Sequence, residues 1–204
     1  MSFFTPDQNE RCEKGAYTDG FLLTTNTLPF SFTCFNLADI FAPNSSSVGF
    51  QNGTDGITPL DPDAVNGVHY QIRRPDGRFD PNGNYSNVWY EQYNSTELDE
   101  GKDASWVVHF YAFEDCEQQE QGHDEREPED FPWFETSCQT EVGGQCREVP
   151  NTVRSFGINS GANYNARHGG CEEWAFLGGA NGVMPGKGLM LALGIGAVAV
   201  LGLM

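Results

Sequence analysis

The sequence predicts an all-β domain, an antiparallel sandwich or Greek-key arrangement with long loops, followed by a C-terminal hydrophobic helix. Three observations carry this expectation. Apolar residues alternate with a period of two in several short segments, Asn-Gly and Asp-Gly turn dipeptides separate those segments, and six cysteines are spread along the chain without C-x-x-C pairs. The pattern divides the chain into a β ectodomain over 1–177, a small-residue and polar spacer over 178–188, and a hydrophobic tail over 189–204.

In chain order, Leu28, Phe30, Phe32 and Cys34 alternate with Pro29, Ser31 and Thr33, which predicts a strand with one face in a core. Pro43 to Asn66 is rich in Ser, Asn, Gly, Asp and Pro and reads as a long loop. Val68, Tyr70 and Ile72 against His69, Gln71 and Arg73 repeat the period of two. Ser105 to Phe113 (SWVVHFYAF) is apolar on both faces, as a strand covered from two sides must be, and is expected at the heart of the fold. Shorter strands are expected at Tyr85–Tyr93, Gln145–Val149, Arg154–Asn159 and Cys171–Phe176, with almost no helix. Asn52-Gly53, Asp55-Gly56, Asn66-Gly67, Asp76-Gly77 and Asn82-Gly83 supply turns. Glu117 to Asp130 (EQQEQGHDEREPED) is so acidic and polar that it reads as a solvated loop.

The tail Leu189–Met204 (LMLALGIGAVAVLGLM) lacks any charged side chain and has no polar flank after it. Upstream, Gly178, Gly179, Ala180, Asn181 and Gly182 form a run of small residues, and the spacer after them contains Pro185 and Lys187. Small residues, spacer and greasy tail are the three parts of a GPI-anchoring signal, with attachment expected within Gly178–Gly182. A retained membrane span and a core helix are the alternatives, but a sixteen-residue helix reaches roughly 24 Å, short of a ~30 Å hydrocarbon layer. Met1 to Glu10 has neither a basic n-region nor an apolar h-region. An anchoring signal works only after entry into the secretory pathway, so the expectation is a start upstream of Met1, with a cytosolic chain as the alternative.

Secretion is favoured by two further features. Cys12, Cys34, Cys116, Cys138, Cys146 and Cys171 make an even set without zinc-type spacing, which reads as three disulfides. Proximity in sequence predicts Cys12 with Cys34 and the other four paired among themselves. Asn44, Asn52, Asn84 and Asn94 head N-glycosylation sequons in turn-rich stretches, where chance alone gives roughly two such triplets.

With a formal charge of −18, the chain lacks the clustered Lys and Arg that bind phosphate, which argues against nucleic acid; membrane contact is expected only through the C-terminal anchor. His-Glu-x-x-His, Gly-x-Ser-x-Gly and Gly-x-x-x-x-Gly-Lys are missing, so no catalytic residue is assigned, and no cofactor or metal is expected. His109, inside the central segment, reads as a hydrogen-bonded core or interface histidine, His69 as solvent-exposed, and His123 as part of the acidic run. Asp80 to Ser86, with Glu91 beyond, places oxygens as an EF-hand loop would. Position six is Tyr85 where the sharp turn needs Gly, so a turn between strands is the better reading.

The segments Val107–Glu117 (VVHFYAFEDCE), Gly143–Ile158 (GGQCREVPNTVRSFGI) and Gly169–Phe176 (GGCEEWAF) resemble the small cysteine-rich secreted proteins of filamentous fungi, some of which look like βγ-crystallin-type Greek-key domains. The resemblance covers the C-terminal half of the ectodomain. It implies a Greek-key fold and a cell-surface address, and leaves the chemistry open. The acidic insert after Cys116 departs from the pattern, and the paired acids and closing Ser pair of a crystallin calcium motif are missing, so calcium binding is not carried over. The resulting expectation is a glycosylated, GPI-anchored cell-surface or cell-wall protein with a structural or interaction role, binding wall polysaccharide or a surface protein. A cell-surface hydrolase of wall polysaccharide, using two carboxylates and sugar-stacking Trp89, Tyr90, Trp133 and Trp174, is the alternative.

Overall fold

A computed structural model describes residues 1–12, 17–54, 66–75, 79–93, 99–118, 133–149, 151–172 and 175–176. Among these, eleven strands form two antiparallel sheets. Sheet A contains β1 (Ser2–Phe4), β2 (Phe21–Thr24), β4 (Val48–Asn52), β5 (Gly67–Arg73), β6 (Asn87–Tyr90) and β9 (Gln145–Glu148), in the order β4-β5-β2-β1-β6-β9. Sheet B contains β3 (Thr33–Asn36), β7 (Asp103–Tyr111), β8 (Trp133–Cys138), β10 (Ser155–Ser160) and β11 (Ala175–Phe176), in the order β11-β8-β7-β10-β3. Two short helices join them, α1 (Leu37–Ile40) and α2 (Gly161–His168). The expected all-β sandwich is what the chain forms; the tail from Leu189, the candidate anchor residues Gly178–Gly182 and Asn94 lie outside the described residues.

The core between the sheets is aromatic. Phe3 and Phe21 from sheet A meet Phe35, Phe110 and Phe156 from sheet B, with Phe41, Phe79 and Tyr85 filling the sides. Phe35 and Phe156 stack with ring centroids 4.8 Å apart, and Phe21 meets Phe79 and Tyr85 edge-on at 5.2 and 5.7 Å. Each such pair contributes ~0.5–1.5 kcal/mol beyond its buried area. β7 is the middle strand of its sheet, as its two apolar faces require: Val108 and Phe110 enter the core, while Val107 and Tyr111 are buried beneath α2 and the Phe32 segment on the other side. On β5, Val68 and Ile72 are buried and His69, Gln71 and Arg73 are exposed, as the alternation predicts.

Four expectations are corrected. The strand expected from Leu28 begins only at Thr33; Leu28 and Phe30 are 47% and 52% exposed, and Pro29 offers no N–H to a ladder. Its core residue is Phe35, one position out of phase with the predicted face, and Cys34 points to the opposite side of the sheet. The loop expected over Pro43–Asn66 contains edge strand β4, whose register with β5 runs from Val48↔Gln71 to Asn52↔Gly67. Within this same region the Arg74 guanidinium donates to Ala42 O and Ser45 O at 2.9 and 2.8 Å, fixing the turn that holds Asn44 outward. Helix α2 was not expected, although Ser160 before it, Arg167 and His168 in its last turn and Gly169-Gly170 after it are helix punctuation. Trp89 and Tyr90, expected as exposed sugar platforms, are 3% and 1% exposed.

The disulfides are also re-paired: Cys12–Cys146, Cys34–Cys116 and Cys138–Cys171. Cys12 does not join Cys34, and of the four later cysteines only Cys138 and Cys171 pair with each other. The cause is sheet order. β6 lies between β1 and β9, so the chain just after β1 comes back beside Cys146, and β10 inserts between β3 and β7 so that Cys34 faces the residues following β7. All six cysteines are bonded, which is compatible with an extracellular protein.

Candidate functional site

Two features stand out, on opposite faces of β7. The first is a cleft of about 680 Å³ at one end of the sandwich, which reaches from the core side of sheet A (Leu23, Tyr90, with Trp106, Val108 and Ile158 of sheet B) round to its outer face (Tyr17, Leu22, Trp89). Antiparallel pairing puts the end of β2 (Leu22 to Asn26), the end of β6 with Glu91 to Tyr93, and the start of β7 (Ser105, Trp106, Val108) at this same end. On the outer face of sheet A, Trp89 is stacked on the Tyr17 ring at 4.5 Å and donates from Nε1 to Gly143 O at 3.3 Å. Trp106 is half-buried on one side, its Nε1 donating to Thr27 O at 2.9 Å, and Tyr93 is 47% exposed at the rim. Glu91 is the one carboxylate lining the cleft among the described residues, and it accepts the Gly143 N–H at 2.8 Å.

The second feature is a cluster of titratable side chains on the outer face of sheet B. His109 on β7 and Glu135 on β8 are direct cross-strand partners, so both point to the same face. Over them lies α2, whose Tyr164 and His168 are four residues apart and therefore share a helix face. Helix and sheet approach closely here: a Cβ on Gly161 would stand 2.5 Å from the Ala104 carbonyl oxygen of β7. The helix ends at Gly169 (φ 78°), a left-handed conformation suited to glycine, with the Gly170 N–H returning to Asn165 O at 2.9 Å. The chain is then pinned to β8 by the Cys138–Cys171 bridge and by the Ser137 N–H to Glu172 O bond of 2.8 Å, which delivers Glu172 to Glu135.

The Tyr164 hydroxyl contacts Glu135 Oε1 and lies 2.6 Å from Glu172 Oε2. Glu172 Oε1 is 3.1 Å from His168 Nδ1, and Glu135 Oε2 is 3.1 Å from His109 Nδ1. Glu135 is 0% exposed. Burial first, then the hydrogen-bonded and charged Glu172 beside it, push its carboxyl up to about 8, with His168 acting in the opposite direction. Burial pushes the His109 imidazole down to about 4. At pH 7 the pair is therefore neutral, with the proton on the carboxyl, which can donate to a neighbouring oxygen or nitrogen. His109, expected as a hydrogen-bonded core or interface histidine, lies outside the core between the sheets, half-buried under α2 and facing Glu135. Burial together with the Glu135 charge also raises the Tyr111 phenol.

Of the other predicted residues, Asn44, Asn52 and Asn84 are exposed, so each could carry a glycan. Asp80 to Tyr85 forms the expected turn, closed by Gly83 N–H to Asp80 O at 2.9 Å, with Tyr85 buried instead of facing an ion. His69 is exposed beside Phe50, while His123, Trp174 and the side chain of Trp133 lie outside the described residues. Glu135, Tyr164, His168 and Glu172 were not singled out by the sequence. The visible signal was the spacing Tyr164, His168, Glu172, with His168 and Glu172 flanking the Gly-Gly-Cys turn. No protein-family model matches the chain, and neither a curated protein nor a solved structure matches it at a significant level.

Proposed function

We propose that this protein is an extracellular, N-glycosylated cell-surface protein, tethered through its C-terminal signal, that binds neutral wall polysaccharide in the cleft at the end of its sandwich. The observation that carries the reading is the make-up of that cleft. Trp106 and the exposed Tyr93 line it together with the hydroxyl and amide groups of Thr24, Asn26 and Ser105, the mixture that a ring with one apolar face and an equatorial set of hydroxyls requires. Glycoside hydrolysis needs two carboxylates flanking the bond. Among the described residues the cleft offers only Glu91, and its oxygen is already held by Gly143. The carboxyl with the raised pKa, Glu135, is fully buried on the other side of β7, where no sugar reaches it. Binding without turnover is therefore the better-supported role.

The test is sedimentation of the purified protein with insoluble β-glucan and chitin, alongside the Tyr93→Ala variant. The expected result is saturable retention on one polymer, weakened about 2- to 12-fold by loss of the exposed ring, since one such aromatic contact is worth about 0.5–1.5 kcal/mol. No retention on any wall polymer overturns the reading, and release of soluble sugar replaces it with the hydrolase.

A further inference from the structure

We propose that Glu135, His168 and Glu172 bind a divalent transition-metal ion of the zinc class on the outer face of sheet B. Each offers one ligand atom, and the three atoms lie within 4.8 Å of one another. Two carboxylate oxygens and an imidazole nitrogen are a donor set for zinc-type ions, whose bonds of about 2.0–2.2 Å the cluster reaches by a modest inward closure. Hard calcium prefers six or more oxygens, which this cluster lacks.

The local hydrogen bonding leaves a place that either a proton or a cation can fill, and the geometry of the three ligand atoms suits the cation. The Tyr164 hydroxyl stands between Glu135 Oε1 and Glu172 Oε2, yet it has one proton and can satisfy one of them. Glu135 is 0% exposed, and its Oε2 faces His109 Nδ1 at 3.1 Å, which leaves Oε1, beside Tyr164, on the side of the cluster. A buried carboxylate in this state needs either a proton or a cation. The surroundings provide the cation's route and its support. His168 is exposed and its Nδ1 lies 3.1 Å from Glu172 Oε1, so a ring rotation would turn it to an arriving ion, while His109 and Tyr164 contact Glu135 as an outer shell would. The three ligands come from β8, α2 and the segment locked by Cys138–Cys171, so the ion would tie the helix to the sheet at the point where the disulfide already joins them. The site is separate from the cleft and does not rest on polysaccharide binding.

The experiment is calorimetric titration of the tag-free, full-length chain, stripped with EDTA, with Zn²⁺, repeated with Co²⁺ while the visible absorption is recorded. The expected outcome is one ion per chain, a d–d band for Co²⁺, and at least about 100-fold weaker binding in His168→Ala and in Glu172→Gln. His168→Ala removes an exposed side chain, and its circular dichroism spectrum should match the parent. Absence of stoichiometric binding overturns the proposal, as does weak multi-site uptake that His168→Ala leaves unchanged.

Discussion

Replacing Glu135 by Gln in the metal-free protein should change how stability depends on pH, in a direction the two buried partners dictate. The Glu135 carboxyl is raised to about 8 in the fold from an ordinary value near 4.5, so between those values the native chain holds a proton that the unfolded chain has lost. Stability from this group is complete below about pH 4.5 and is lost as pH rises through 8, at about 1.4 kcal/mol per pH unit for one proton. His109 has the opposite sign. Its imidazole falls from 6.5 to about 4, so the unfolded chain binds the extra proton, and stability from this group is present above pH 6.5 and lost as pH falls through 4. Between about pH 4.5 and 6.5 the two slopes cancel. Above 6.5 only Glu135 still acts, and from there to pH 8 it should remove about 1.5–2 kcal/mol, or ~3–8 °C in Tm for a domain of this size. Gln keeps the shape and can donate from its amide to Glu172 or Tyr164, but does not titrate. Urea unfolding in EDTA at half-unit steps from pH 4.5 to 8.5, read as the difference between parent and Glu135→Gln, isolates this group from the background of surface acids. A constant difference across pH 6.5–8 would refute the burial and coupling assigned to Glu135.

Three further outcomes are expected. Gly161→Ala places a Cβ against the Ala104 carbonyl, so α2 must lift from β7; the cost should be about 1–3 kcal/mol by chemical denaturation, with the zinc affinity reduced alongside. Non-reducing peptide mapping should recover Cys12 joined to Cys146, and removing that pair should be the most costly of the three bridges. Its 134-residue separation corresponds to about 5 kcal/mol of unfolded-chain entropy, against about 4.5 for the 82-residue and about 3.5 for the 33-residue separations. Expressed behind a working signal peptide, the protein should be released from cells by phosphatidylinositol-specific phospholipase and lack every peptide beyond Gly182; a surface form retaining Leu189–Met204 would establish a membrane span instead.

Local pattern was enough wherever a strand was long and had a defined buried face. Gly67–Arg73 and Asp103–Tyr111 span seven and nine residues, and the period of Val68 and Ile72, or the double-sided greasiness of SWVVHFY, states which faces are covered. The class of fold and the oxidised state of the cysteines follow from the same kind of information, because alternation, turn dipeptides and cysteine count are properties of neighbours along the chain. β1 and β2 are three and four residues long and carry no readable period, and Leu28 to Phe32 carries a period without a ladder because of Pro29. Which cysteine meets which was decided by strand order. The interposition of β6 between β1 and β9, and of β10 between β3 and β7, brings together residues 134 and 82 positions apart, a distance over which sequence proximity says nothing. The same holds for the charged cluster. His109 and Glu135 became partners through the β7–β8 register, and Tyr164 and His168 through a helix laid across it, so the raised carboxyl of Glu135 is a product of packing, while its residue type alone promised only an exposed acid.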